Sequence, residues 1–130
     1  MKKVIIISIT SFFSFFILMI LVMVLTLNAN MKEIRSIDIN DFDLSLTEDN
    51  TYEGAYYYEE QIGATVSVTV LDGKITEISL LEHITGKGQK AEELIPVVIS
   101  EQTLLVDNIA GATTSSHVIK LAIQDALKEE

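Results

Sequence analysis

Residues 4–27 run for 24 positions without a charged side chain and are dominated by Ile, Phe, Leu, Val and Met. A helix of about 20 consecutive apolar residues crosses a bilayer core, so this stretch is predicted to be one transmembrane helix. Lys2 and Lys3 precede it, and the positive-inside rule keeps the short N-terminus in the cytoplasm and sends the remainder across. A cleaved signal peptide also begins with lysines and an apolar run. Its core is only roughly 7–15 residues long and ends at a small-x-small site, which Leu27-Asn28-Ala29 matches poorly. The balance favours a retained anchor over residues 1–30.

About 100 residues remain, enough for one small domain with a core of its own. Lys2 and Lys3 aside, 7 Lys plus Arg face 19 Asp plus Glu, a formal charge of −12. Such a domain repels nucleic acid and anionic lipid headgroups. The absence of cysteine excludes disulfides, lipoprotein anchoring, thiolate metal sites and iron–sulfur ligation.

Residues 31–50 read as an acidic connector, without Gly or Pro and weakly alternating through Ile37, Ile39, Phe42, Leu44 and Leu46, a pattern that would suit an edge strand. From Tyr52 the period becomes two. Thr65-Val66-Ser67-Val68-Thr69-Val70 alternates cleanly, and Asp72-Gly73 then separates it from Ile75, Ile78 and Leu80. Asp-Gly between such runs signals a hairpin, because a type I′ turn needs positive φ at both central residues. Residues 52–58 are predicted to be a neighbouring strand, with Tyr56 and Tyr58 on one face and Tyr57 opposite.

Two helices follow. Residues 91–102 have a helical pattern through Ile95, Val98 and Ile99, with the principal run placed after Pro96. The last helix is legible in the stripe Val118, Leu121, Ala122, Ile123, Ala126 and Leu127, with Lys120, Gln124 and Lys128 assigned to the opposite, polar face. The expected fold class is α+β: a small antiparallel sheet covered by helices over residues 51–130, preceded by the single membrane helix.

Residues 107–116, Asp-Asn-Ile-Ala-Gly-Ala-Thr-Thr-Ser-Ser, carry the chemistry. Four hydroxyls (Thr113, Thr114, Ser115 and Ser116) stand behind Gly111 at the mouth of the last helix, which is predicted to begin near Thr114 to Ser116. The first backbone N–H groups of a helix lack intrahelical partners and carry partial positive charge, so a phosphate is stabilised there without a lysine or arginine nearby. Plain capping by Ser or Thr is the competing explanation.

The run resembles the attachment motif of the FMN-binding domain family, which includes the flavin-carrying subunits of sodium-pumping and related membrane redox complexes. The motif reads Asp, two variable residues, Ser or Thr, Gly, Ala, Thr or Ser, one variable residue, then the Thr or Ser that carries the flavin. Asp107, Gly111, Ala112 and Thr113 match it, Thr114 fills the variable place and Ser115 falls on the attachment position. Ala110 stands where the pattern prefers Ser or Thr, and the acceptor is Ser where Thr is usual. The likeness extends over residues 52–127, through Thr51-Tyr52-Glu53-Gly54, Asp72-Gly73-Lys74-Ile75, Gly86-Lys87-Gly88 with Ala91-Glu92, and Glu101-Gln102-Thr103-Leu104 leading to Val106-Asp107. The resemblance implies FMN as cofactor, joined by a phosphoester to Ser115 through a magnesium-dependent flavin transferase.

The remaining candidates are weaker. Gly86 and Gly88 lie between strand and helix, where small residues could pass close to a bound ring system, or simply form a flexible loop. His83 is either a hydrogen-bond donor to that ring or an ordinary surface-loop histidine, with no second ligand for a metal. A tyrosine could stack on a flavin, although strand packing accounts for all four. His117 sits in the first turn of the last helix, where only a neighbouring anion would favour a cation.

Enzyme templates fail. No Ser-His-Asp order stands out, no Gly-x-Gly-x-x-Gly follows a strand, and the carboxylates of Glu92-Glu93 and Glu129-Glu130 diverge on a helix. The expected function is a membrane-anchored extracytoplasmic flavoprotein that relays electrons between membrane or extracellular redox partners. Noncovalent FMN binding and a non-redox accessory module of the same fold are the alternatives.

Overall fold

The computed structural model describes residues 2–45 and 47–128. Met1, Leu46 of the alternating connector, the Glu129-Glu130 pair and the side chains of residues 2–9, Lys2 and Lys3 among them, lie outside that description. The chain divides into two compact units, Met1–Glu33 and Ile34–Glu130.

Helix α1, Lys2–Arg35, contains neither glycine nor proline. Its segment Thr10–Arg35 is long and apolar enough to cross a membrane. Phe12, Phe13, Phe15, Leu18 and Leu25 are exposed, the reverse of a soluble core helix. Thr26 Oγ1 donates to the Val22 carbonyl at 2.9 Å, which satisfies its hydroxyl inside the apolar run.

The second unit is built on an antiparallel sheet of three strands, β1 Asn50–Tyr58, β2 Ile62–Leu71 and β3 Lys74–Ile84, in the order β1-β2-β3. Alternation along β2 buries Ala64, Val66, Val68 and Val70 and turns Thr65, Ser67 and Thr69 to the other face. Asp72 and Gly73 have φ of 52° and 68°, the two positive values that a type I′ hairpin demands. On β1, Tyr56 and Tyr58 pack on the core while Tyr57 faces out, where its hydroxyl meets Thr65 Oγ1 at 2.6 Å and the Glu82 carboxylate. The hydrogen bond to Glu82 pushes the Tyr57 phenol above its ordinary value.

Helix α3, Thr113–Ala126, covers β1 and β2, and α2, Leu94–Glu101, packs on β3. Val118, Ile119, Ala122 and Ile123 of α3 meet the inner valines of β2 in one core, each fully buried Val or Ile contributing about 1.5–3 kcal/mol. A 3-10 turn, Gln89–Glu93, leads directly into α2. Pro96 does not open the main run as the sequence suggested. It is the third residue of α2, inside the first turn, where its missing N–H leaves no helix bond unmade.

Residues 34–45 form no strand, so the expected edge strand is absent among the described residues. The segment is instead a strap laid on α3. Ile34 is 1% exposed and Leu44 is buried with it in the core. Asn40 N donates to Gln124 Oε1 at 2.8 Å, and the Asp41 carboxylate accepts from Thr103 Oγ1 at 2.5 Å and Leu104 N at 2.9 Å. Partial burial would raise the Asp41 pKa, but hydrogen bonds from Thr103, Leu104 and Phe42 outweigh it and hold the carboxyl below its ordinary value. The outer side of β3 is closed by Gln102, whose amide receives Ile75 N at 2.9 Å and donates to Ile75 O at 2.8 Å.

α3 approaches β1 so closely that only glycine fits at position 54: a Cβ there would lie 2.2 Å from Ala126 N and 2.4 Å from Ala122 O. Backbone atoms cannot swing aside, so Gly54→Ala is expected to lower the unfolding free energy by about 2–3 kcal/mol or more. Urea unfolding of the full chain checks this, and a loss under about 0.5 kcal/mol, ordinary for a surface change, would mean that the helix backs away freely.

Candidate functional site

α3 begins one residue earlier than the hydroxyl pattern suggested, at Thr113, with Ala112 as its N-cap residue. Gly111 holds φ at 80° and open space lies beside it, so a backbone turn, and not a close contact, requires the glycine. Ala112 N donates to Ile109 O at 3.0 Å and closes the turn. No side chain caps the helix.

The hydroxyls that could have capped it are engaged elsewhere. Thr114 Oγ1 accepts from Arg35 Nε at 2.6 Å, Ser115 Oγ shares a hydrogen bond with Thr85 Oγ1 at 2.9 Å, and Ser116 Oγ accepts from Ile109 N at 3.0 Å. Thr113 is half-buried at the first helical position. The helix start is thus free of side-chain acceptors, the condition under which its N–H groups and dipole favour an anion. Arg35 stands beside this helix start, where the sequence reading needed no lysine or arginine. Its place on the strap, 79 residues away in sequence, gave no local sign of the contact.

Ser115 is 4% exposed and lies against Gly88. A Cβ at residue 88 would sit 1.8 Å from Ser115 Oγ and 2.4 Å from Thr85 Oγ1, so the glycine makes the room in which the two hydroxyls meet. Gly88 N donates to Thr85 Oγ1 at 2.9 Å and fixes that side chain. Gly86 is exposed with nothing within 4 Å of a Cβ position and has no such role. Thr85 was missed in the sequence; its only signal there is its position before the Gly-x-Gly pair.

His83 corrects a second expectation. It lies within β3, paired across the ladder with Ala64, and its side chain is 5% exposed, so it is no surface-loop residue. Nδ1 meets Glu92 Oε1 at 3.1 Å, which places the ring hydrogen on Nδ1. Nε2 is buried without a hydrogen-bond partner, as is Asn108 Oδ1 in the loop before α3. Unpaired buried polar atoms cost about 1–3 kcal/mol each, and both lie on segments adjoining the site, on β3 and beside Asp107.

His117 is committed to the strap, its Nε2 donating to Ile37 O at 2.7 Å. Lys120, assigned by periodicity to a solvated face, is 5% exposed because the loop before α3 folds over it. Its ammonium donates to the Val106 carbonyl. Burial holds the Lys120 pKa below the ordinary lysine value and the charge of Asp107, exposed at the head of the motif, partly restores it. Among the described residues no group of three or more His, Asp or Glu is placed to hold a metal.

Between the folded pKa of Lys120 and the unfolded value near about 10.4, the unfolded chain binds more protons, so stability rises with pH across that window. Lys120→Met keeps the stem and removes the titration. Unfolding free energies measured from roughly pH 8 to 10 are expected to climb less steeply for the variant; parallel profiles would show that Lys120 titrates alike folded and unfolded.

Comparison with known proteins follows the same residues. A family model described as the FMN-binding domain matches residues 57–128, from the end of β1 through α3. No curated protein and no solved structure gave a match. With Ser115 at an uncapped helix start, a glycine cradle beside it and more than half of the chain matched, the protein belongs to the FMN-binding domain family and FMN is its cofactor.

Proposed function

We propose that the protein is a membrane-anchored electron carrier that holds FMN by a phosphoester to Ser115, on the extracytoplasmic side of the membrane. The observation that carries the reading is the start of α3: no side chain caps it, and Ser115 Oγ is fixed there between Thr85 Oγ1 and Gly88.

The residues present fit the cofactor. The open N–H groups of Thr113 and Thr114 suit a phosphate, and the hydroxyl of Ser115 is a nucleophile of the right kind for attachment by a flavin transferase. His83 Nε2 and Asn108 Oδ1 are buried polar atoms without partners, and a polar ring edge or a ribityl chain can supply them. When bound, FMN supplies the electron-transfer chemistry; the chain contributes binding, orientation and the local field. The −12 charge disfavours further negative charge at the site, an effect weakened by salt and solvent.

α1 serves in this reading as a retained anchor, with its N-terminus in the cytoplasm by the positive-inside rule. The partners are the transferase that modifies Ser115 and membrane or extracellular redox proteins. Ser115 is 4% exposed, and that enclosure favours a second reading in which the same helix start holds the phosphate without a bond. A non-redox accessory module would carry no flavin.

Intact mass of the full chain, purified from its membrane or co-expressed with a flavin transferase, separates these readings when paired with extraction into denaturant. A gain of FMN minus water, mapped to the peptide spanning residues 108–120 and lost in Ser115→Ala, is the expected result. Flavin released by denaturant would establish noncovalent binding, and an unmodified mass without released flavin would leave the accessory module.

A further inference from the structure

We infer that Arg35 is a ligand of the FMN phosphate, so that the site takes its full positive charge from outside the family domain. The inference rests on the proposed attachment at Ser115 and concerns a residue 22 positions before the matched segment begins.

Arg35 is the chain's single arginine. Its backbone is pinned on both sides: Ile34 is buried in the core at 1% exposure, and Ile37 O accepts from His117 Nε2 at 2.7 Å. Its Nε donates to Thr114 Oγ1 at 2.6 Å, which sets the guanidinium beside the first turn of α3, one residue from Ser115. Thr114 is itself buried. A guanidinium has five N–H donors in a planar fork, and the Nε bond occupies one. Those on the terminal nitrogens form the geometry that binds phosphate oxygens in pairs, which a lysine ammonium cannot reproduce.

The charge is needed. The unit Ile34–Glu130 is strongly acidic, and helix N–H groups alone offer only partial charges. Lys120 is committed to the Val106 carbonyl. Lys87 lies exposed between Gly86 and Gly88, in the loop that touches Ser115, and no contact fixes it there. Arg35 is the cation whose position is set before a ligand arrives.

The test uses the full chain in detergent with FAD, magnesium and a flavin transferase. Ser115 Oγ attacks the FMN phosphorus, the pyrophosphate P–O bond breaks, AMP leaves, and the serine proton passes to a base of the transferase. FMN incorporation is followed by intact mass. Arg35→Gln is expected to slow incorporation roughly 10- to 100-fold, the range of a lost charge-assisted hydrogen bond, with Arg35→Lys between it and wild type and Lys87→Gln at the wild-type rate. In loaded protein the 31P resonance of the phosphodiester is expected to move in Arg35→Gln and to stay in Lys87→Gln, a response that a purely structural role would not give. If Arg35→Gln fails to fold, Arg35→Met keeps the apolar stem without the charge and carries the same comparison. A wild-type rate and an unmoved resonance in the charge-free variant overturn the role of Arg35. An unmodified wild-type chain would instead overturn attachment at Ser115.

Discussion

The close approach of α3 to β1 and β2 governs the rest of the second unit. Gly54 lets the helix backbone touch the strand, and the strap and the loop before α3 cover most of the rest, leaving Asp125 exposed. A helix covered so widely is normally apolar over the covered faces. α3 is not, for it carries Thr114, Ser115, Ser116, His117, Lys120 and Gln124. Burying those groups unpaired would cost about 1–3 kcal/mol each, so each must find an internal partner, and the partners lie on three segments outside the helix. Arg35 and the Ile37 carbonyl serve Thr114 and His117, Asn40 serves Gln124, Thr85 serves Ser115, Ile109 serves Ser116, and the Val106 carbonyl serves Lys120. The polar residues of one helix thereby hold together the strap, the β3 end and the motif loop.

The same economy leaves the helix start open. A Ser or Thr at the N-cap itself would ordinarily accept from the first N–H groups. Here tertiary partners claim Thr114, Ser115 and Ser116, and Ala112 at the N-cap has nothing to offer. The open helix start therefore arises from the packing of the domain rather than from the motif's composition alone. The plain-capping explanation of the Ser-Thr run does not hold for these residues.

Local patterns were legible and long-range ones were not. The alternation of residues 65–70 and the Asp72-Gly73 turn gave β2 and the hairpin, because period and positive φ are properties of a few consecutive residues. The apolar stripe beginning at Val118 gave α3. The polar face assigned to Lys120 was misjudged because periodicity states which residues share a face, and not what covers it. His83 was misplaced because its strand runs on through Ile84, past the point where the alternation fades. The strap reads in the sequence only as a connector with a weak edge-strand pattern, because its contacts with α3 join residues 79 to 84 apart, and a contact of that range leaves no periodic mark.

The pairing of Thr85 with Ser115 bears on how one pocket could serve both a bare and an esterified serine. A free hydroxyl can donate or accept, so either oxygen supplies the hydrogen in the present 2.9 Å contact. A phosphoester on Ser115 would remove its hydrogen and leave an acceptor. Thr85 Oγ1 already accepts from Gly88 N, and its own hydrogen stays available to donate. The contact can persist through attachment with Thr85 as donor, at no cost in unpaired groups. An alanine at position 85 could hold neither state, and a larger residue at 88 would displace both hydroxyls. The threonine and the glycine are thus constrained by one oxygen atom, that of Ser115, and by the chemistry it can undergo.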